Sequence, residues 1–309
     1  MKYFIIVNPI SGRGHGAKSI PEIKNFFTKE NLDYQLTTTL RPGHALELAM
    51  EAVKQGFDVV VSAGGDGTSN EVINGIIKAN IENGSNTCMG VIPVGRGNDF
   101  AYSMGIPTVL EETFQCILAD QRHKVDIGCV YGDNFPDGRY FGNGVGVGFD
   151  AVVGFEALKL KFLTGFASYI VAALKTMFLY FKSPQLRLVT PTDDRVGKYL
   201  MVSVMNGIRM GGGFYMAPRG NPSDGSFDLC VVDEVPRTGL LPLISKFTKG
   251  TQQGDPSVTF LRASRVDIHA MDGTIPAHAD GETVCTNGQS IRIELHPQIL
   301  EMVYKPGLR

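Results

Sequence analysis

Along the first 125 or so residues, short apolar β-branched runs alternate with stretches whose apolar positions recur every three to four residues. That is the pattern of βα units feeding a parallel sheet. It predicts strands over Tyr3–Val7, Tyr34–Thr38, Asp58–Ser62 and Cys88–Ile92, and helices over Gly16–Glu30, Gly43–Gln55, Thr68–Asn80 and Thr108–Ala119. From about Val125 the period changes to two, in segments broken by Gly, Asn and Asp: Lys198–Met205, Phe227–Val232, Arg265–Ala270 and Ser290–Glu294. Period two is the strand period, so a mostly β region follows, with one long helix, Leu158–Phe181, inserted in it. The expected division is an α/β domain over 1–126 and a β-rich domain over 127–309, with the tail, about 295–309, a candidate to return to the first. No internal repeat or low-complexity linker interrupts the chain.

Composition narrows the picture. A chain of 309 residues is long enough for two domains, each with a core of its own. Lys+Arg 29 against Asp+Glu 31 gives a net charge of −2, which excludes broad electrostatic binding to nucleic acid. The cysteines, Cys88, Cys116, Cys129, Cys230 and Cys285, are odd in number and far apart, so neither a disulfide framework nor a zinc site is expected. The apolar run Tyr3–Val7 is too short for a signal-peptide core, and a cytoplasmic chain is expected. The inserted helix is long and apolar enough to resemble a membrane span, yet Lys161, Ser168, Lys175 and Lys182 recur every seven residues and share one stripe. An amphipathic helix follows. Five basic residues, Lys159, Lys161, Lys175, Lys182 and Arg187, against one acid between 156 and 187 suit contact with an anionic bilayer surface. Packing of the same apolar face on the protein core is the alternative.

Four short motifs carry candidate chemistry. Val59–Ser62 runs into Ala63-Gly64-Gly65-Asp66-Gly67-Thr68 and then a helix. Bare backbone N–H groups and a helix N-terminus at the carboxyl end of a buried strand form a place for phosphate. Thr68 is the expected helix cap, and Asp66 a candidate Mg²⁺ ligand; a plain glycine turn is the alternative. Asn8-Pro9-Ile10-Ser11-Gly12-Arg13-Gly14 follows the first strand, and Val94-Gly95-Arg96-Gly97-Asn98-Asp99 follows the fourth. Loops leaving strands of one parallel sheet converge on one edge, and the combination says more than any one loop. The fourth motif, His278-Ala279-Asp280-Gly281-Glu282, is an Asp-Gly turn that presents Glu282 as a candidate general base. The six histidines are scattered, without zinc spacing, and no Gly-x-Ser-x-Gly elbow occurs.

Taken together, Gly64–Thr68, Asn8-Pro9-x-Ser11-Gly12, Gly97-Asn98-Asp99-Phe100-Ala101 and Asp280-Gly281-Glu282 resemble the diacylglycerol kinase catalytic-domain family, lipid kinases related to sphingosine and ceramide kinases. Gly211-Gly212-Gly213-Phe214, Ala217-Pro218 and Asp224-Gly225 extend the resemblance over essentially the whole chain. The Gly-Gly-Asp-Gly stretch alone is shared with phosphofructokinases and NAD kinases. The resemblance implies a Rossmann-like α/β nucleotide-binding domain with a parallel sheet, a mostly β sandwich-like lipid-substrate domain and an active site in the cleft between them. It implies ATP held by Asn8, Pro9, Ser11, Gly12, Thr39, Gly65, Asp66, Gly67, Thr68, Asn70, Glu71, Arg96, Gly97 and Asn98. Asp66 and Asp99, with Asp126 nearby, would organise catalytic Mg²⁺, and Glu282 would take the proton of the lipid hydroxyl. A second Mg²⁺ is implied at Asp224, with backbone carbonyls near Asn221 and Ser226. Arg96 departs from the family, which usually has Thr there; a guanidinium can pair with phosphate instead.

The reading that follows is an ATP- and Mg²⁺-dependent lipid kinase acting on a membrane lipid alcohol, diacylglycerol first, and bound peripherally to the inner face of the membrane. A homodimer is the commonest oligomeric state on base rates. The competing readings are a kinase of a soluble alcohol such as NAD, and a nucleotide- or lipid-binding regulator without turnover.

Overall fold

The computed structural model describes residues 1–159, 166–179 and 183–304. The chain divides into two compact units, Met1–Val125 with the segment from Gln298, and Asp126–Pro297.

In the first unit the order is β1 (Lys2–Val7), α1 (Ser11–Lys29), β2 (Asp33–Thr38), α2 (His44–Lys54), β3 (Val59–Gly64), α3 (Asp66–Asn83), β4 (Cys88–Pro93), α4 (Asp99–Ser103) and α5 (Leu110–Ala119). The strands stand in the order β2–β1–β3–β4, all parallel. Val7 pairs with both Thr38 and Ala63, and Gly64 with Pro93, so the carboxyl ends are level and their loops leave from one edge. Every residue of β3 and β4 is buried, as expected of strands covered on both faces. Ile23, Phe26 and Phe27 of α1 and Phe114 and Ile117 of α5 join Tyr3, Ile5, Val59 and Val61 in one core.

The second unit is antiparallel. It comprises β5 (Arg122–Gly132, which enters from the first unit), β6 (Phe135–Phe141), β7 (Gly144–Gly148), α6 (Phe149–Lys159), α7 (Phe166–Leu179), β8 (Gln185–Val189), β9 (Asp194–Met205), β10 (Phe227–Asp233), α8 (Arg237–Lys249), β11 (Val258–Ala263), β12 (Arg265–Ala270), β13 (Ile275–Ala279), β14 (Glu282–Gly288) and β15 (Ser290–Val303). One layer runs β14–β13–β7–β9–β10–β11, the other β9–β8–β12–β15 with β5 and β6. β9 belongs to both: its first half pairs with β8, its second half with β7 and β10. Side-chain alternation then builds two cores. Val202, Val204, Leu229 and Val231 face inward with Val266, Ile268 and Ile293, while Met201, Met205, Cys230 and Val232 face α6, α7 and α8. The end of β15 belongs to the first unit, where Met302 pairs in parallel with Met89 of β4.

Gly12, Arg13 and Gly14 have left-handed φ of 57°, 59° and 87°, so regular α1 begins only after them, in keeping with the predicted start at Gly16. Three features differ from expectation. β15 runs past Glu294 to Val303. α6 and α8 were not foreseen, because α6 is apolar on nearly all sides and α8 carries Pro242. Of the long helix, Phe166–Leu179 is described; Lys161 and Lys182 lie outside the described residues. Ser168, on the stripe expected to be exposed, is buried, whereas Lys175 is not. Among the described residues no helix is long and apolar enough to cross a membrane.

Candidate active site

Three loops of the first unit meet, and glycine is what lets them. A Cβ on Gly12 would come 2.4 Å from the Val94 carbonyl, and one on Gly95 would come 2.3 Å from Gly65 Cα, so the loops after β1, β3 and β4 touch backbone to backbone. Any side chain at these positions would force the loops apart. The predicted convergence is therefore a contact among three chain segments.

Within it the predicted residues divide into those on the loop surface and those that brace it. Asn8 Nδ2 donates to Thr68 Oγ1 at 3.0 Å, tying the first loop to α3. The expected cap by Thr68 is not made: α3 begins two residues earlier, at Asp66, with Gly65 in the cap position and no side chain capping it. Its hydroxyl serves Asn8 instead. Asp66 Oδ1 accepts the Phe100 N–H at 2.9 Å, which sets the carboxylate at the start of α3 beside the start of α4, where Asp99 is the first residue. Acidic groups in a helix's first turn are favoured by its dipole.

Pro9 and Ser11 flank the first loop, and Thr39 N–H donates to the Val7 carbonyl at 2.9 Å, placing the β2 end beside it. Glu71 accepts the N–H groups of Gly43 and Ala45 at 2.8 and 2.9 Å, so its carboxylate caps α2. Asn70 is buried, accepts from Asn74 and sits behind the loop surface. Asn98, with a left-handed φ of 52°, turns its amide back on its own loop and accepts the Gly95 N–H at 3.0 Å. Arg96 is exposed beside Gly97.

In the second unit Asp280 and Gly281 have φ of 47° and 87°, a two-residue turn joining β13 to β14, and Ala279 pairs with Glu282 across it. The Asp280 carboxylate accepts the N–H groups of Gly142, Asn143 and Gly144 at 2.8, 3.1 and 3.0 Å. Glu282 is half-buried at the end of the turn, and no hydrogen bond or ion pair engages its carboxylate among the described residues. Sequence reasoning singled out Glu282 and passed over Asp280, whose role shows only when Gly142–Gly144 are seen opposite it.

Asp126 is buried in the second unit and holds a loop: its Oδ2 accepts the Gly225 N–H at 2.7 Å, and its N–H donates to the Pro222 carbonyl at 2.7 Å. That loop carries the implied second metal site. Asp224 Oδ2 accepts from Arg262 at 2.5 Å, Asn221 Oδ1 accepts the Ser223 N–H at 3.2 Å, and Ser226 Oγ donates to the Phe227 carbonyl at 3.3 Å. The Asp224 carboxylate is thus paired through one oxygen with an exposed guanidinium. Burial pushes the neighbouring Asp228 carboxyl up, with Arg262 opposing. Among the described residues no group of three or more His, Cys, Asp or Glu forms a metal cluster.

Two acids meet three of the five basic residues of the expected face, and Lys161 and Lys182 lie outside the described residues. Lys159 and Lys175 both bond Glu156, at 2.5 and 2.6 Å, and Arg187 pairs with Asp194 at 2.6 Å across the β8–β9 hairpin. The acid count between 156 and 187 missed Asp194 because it lies on the next strand.

Comparison with known proteins places these features. Residues 2–130 match the family model of the diacylglycerol kinase catalytic domain, and residues 143–304 that of the YegS C-terminal NAD kinase beta sandwich-like domain. A diacylglycerol kinase of Bacillus subtilis is 28% identical over 288 residues, covering 90% of this chain and 88% of its own. One from Mycobacterium tuberculosis is 27% identical over 285 residues, covering 92% and 89%. Among solved structures, a Bacillus anthracis protein put forward as a diacylglycerol kinase superposes with a TM-score of 0.78 at 23% identity, covering 100% of this chain and 96% of that one. An Archaeoglobus fulgidus NAD kinase, solved with ATP, shares the fold at a TM-score of 0.52 and 14% identity, covering 99% and 94%.

Proposed function

The chain belongs to the diacylglycerol kinase catalytic-domain family and is a kinase that phosphorylates an alcohol; from that premise we propose that it transfers the γ-phosphate of ATP to a membrane lipid alcohol in a Mg²⁺-dependent reaction. Diacylglycerol, giving phosphatidic acid, is the acceptor named first. The observation that carries the lipid reading is the likeness to diacylglycerol kinases: residues 2–130 match their catalytic-domain model, and relatives of that name are 27–28% identical over 90% or more of the chain.

The chemistry asks little covalent work of the protein: a phosphate cradle, charge neutralisation and a base. Bare backbone at Gly12, Gly65, Gly67 and Gly95 and the N-terminus of α3 supply the cradle. Asp66 and Asp99, at the starts of α3 and α4, are the carboxylates we assign to holding Mg²⁺. When bound, Mg²⁺ would neutralise charge on the transferred phosphoryl group. The acceptor oxygen bonds to the γ-phosphorus as the bond to the bridging oxygen of ADP breaks, and the hydroxyl proton passes to Glu282. Arg96, exposed on the third loop, is the side chain we assign to phosphate contact in place of a hydroxyl. The proposal includes transient contact with the membrane surface, because the acceptor resides there.

The test is transfer of label from γ-³²P-ATP with Mg²⁺ into a total lipid extract in mixed micelles, with NAD as a separate acceptor. A labelled lipid supports the proposal. Label in NAD alone, or no label anywhere while ATP binds, contradicts it.

A further inference from the structure

The end of the β7–β9 ladder holds a buried asparagine that lies outside the four site motifs. Asn206 follows the last residue of β9, where Met205 pairs with Gly144 of β7, and it is 1% exposed. Its Nδ2 donates twice, to the Asp126 carbonyl at 2.7 Å and to the Gly142 carbonyl at 2.8 Å. These acceptors stand 80 and 64 residues away in sequence, so one amide joins the strand that carries Asp126 to the segment between β6 and β7. Both acceptors are carbonyl oxygens, and only the NH₂ end of the amide can face them. An amide sealed from water is unfavourable unless it is bonded, and here its N–H groups serve two distant segments rather than a turn of their own.

The segment between β6 and β7 is the one that fixes the β13–β14 turn. Gly142, Asn143 and Gly144 give their N–H groups to the Asp280 carboxylate at 2.8, 3.1 and 3.0 Å, and the Gly144 carbonyl accepts the Asp280 N–H at 3.1 Å. The carbonyls of the same ribbon belong to Asn206 and its neighbours. Beside the Gly142 carbonyl, that of Asn143 accepts the N–H groups of Asn206 and Gly207 at 2.9 and 2.7 Å. The Asn143 side chain, itself buried, donates to the Arg209 carbonyl at 2.8 Å. The ribbon is therefore held by Asp280 through its N–H groups and by residues 206–209 through its carbonyls and the Asn143 amide. Glu282 stands two residues beyond Asp280, paired with Ala279 across the turn.

We infer that Asn206 is a positioning residue for the proton transfer. It holds the Gly142–Gly144 ribbon, and through Asp280 the turn, so that the Glu282 carboxylate stands where the acceptor hydroxyl reaches it. The same amide fixes the backbone of Asp126 against that ribbon, so one side chain sets two of the acids assigned to the reaction in register. Asn206 acts through Glu282 rather than by touching the acceptor or the nucleotide. The inference rests on the reading of Glu282 as the base and names the residue that aims it.

The experiment is a double-mutant cycle in single-turnover transfer of γ-³²P from ATP, with Mg²⁺, to dioleoylglycerol in mixed micelles. It uses wild type, Asn206→Ala, Glu282→Gln and the chain with both substitutions, each rate normalised to the protein that binds ATP. Asn206→Ala is expected to slow transfer by about 100-fold, the cost of a misplacement of roughly 1 Å, with the affinity for ATP unchanged. In the Glu282→Gln background the same substitution should change the rate by less than about threefold, because the group it aims is already gone. Asn206→Ser, which keeps one donor, should recover part of the loss when Glu282 is present and none in the Glu282→Gln background. Equal losses in the two backgrounds would make Asn206 a general support of the fold and overturn the inference, as would a near-wild-type rate for Asn206→Ala. If circular dichroism shows that Asn206→Ala does not fold, the cycle with Asn206→Ser decides by the same comparison. A wild-type rate for Glu282→Gln alone would overturn the reading of Glu282 and this inference with it, an outcome the single variant shows before the cycle is closed.

Discussion

The acids of the two units are held by donors of different kinds. In the first, Asp66 accepts the Phe100 N–H across two helix starts, and with Asp99 it stands on loops that glycines press together into one surface. In the second, Asp126, Asp224 and Asp280 are taken up by the protein's own donors, a loop N–H, an arginine and a turn of three N–H groups, while Glu282 has no such partner among the described residues. An Asp-Gly pair therefore says little about role until its donors are known. Asp66-Gly67 opens a helix, whereas Asp280-Gly281 fixes the turn that precedes Glu282.

The sharpest way to break this contrast is at its two ends. Glu282→Gln should lower turnover by about 10²- to 10⁴-fold, the range for a positioned base, with the KM for ATP nearly unchanged. Steady-state kinetics with a lipid acceptor checks it; near-wild-type turnover would remove Glu282 from the mechanism. Asp280→Ala should act first on stability. Three N–H groups lose their acceptor and a left-handed position loses a residue that tolerates it, a cost of about 3 kcal/mol in urea unfolding. Asp280→Asn, which keeps an acceptor and suits positive φ, should cost about 1 kcal/mol.

Smaller effects refine the first unit and the periphery. Thr68→Val removes the acceptor for Asn8 Nδ2 and should cost about 1 kcal/mol in thermal unfolding. Were Thr68 a helix cap, Asn8→Ala would leave its contribution intact; the present geometry predicts that Asn8→Ala and Thr68→Val are non-additive. The pH dependence is smallest. Lys246 and Ser257 hold the Asp255 carboxyl down at about 2. A depressed carboxyl contributes stability that is full above its unfolded value of about 4 and lost as pH falls through about 2. Lys246→Met should flatten that part of the acid unfolding curve, measured by circular dichroism from pH 5 to 2.

What the sequence made legible follows from locality. The strands and helices of the first unit could be read because buried parallel strands, glycine loops and amphipathic helices each leave a continuous pattern, and the loops after β1, β3 and β4 meet as that pattern implies. The Asp280-Gly281 turn and the place of Glu282 were equally local. Features made by distant residues were not legible. Asp280 needs Gly142–Gly144, Asp224 meets Arg262, and Arg187 meets Asp194, pairs set by sheet register. The tie that Asn206 makes between Asp126 and Gly142 was hidden for the same reason. Thr68 was misplaced by two residues of helix start, which turned a bracing hydroxyl into an expected cap.

The most direct test of the central claim is single-turnover transfer of γ-³²P from ATP to dioleoylglycerol in mixed micelles with Mg²⁺, run side by side for wild type and Glu282→Gln. The account predicts labelled phosphatidic acid from wild type and a rate lower by at least about 100-fold from the variant. Equal rates from the two, or label appearing only when NAD is the acceptor, would contradict it.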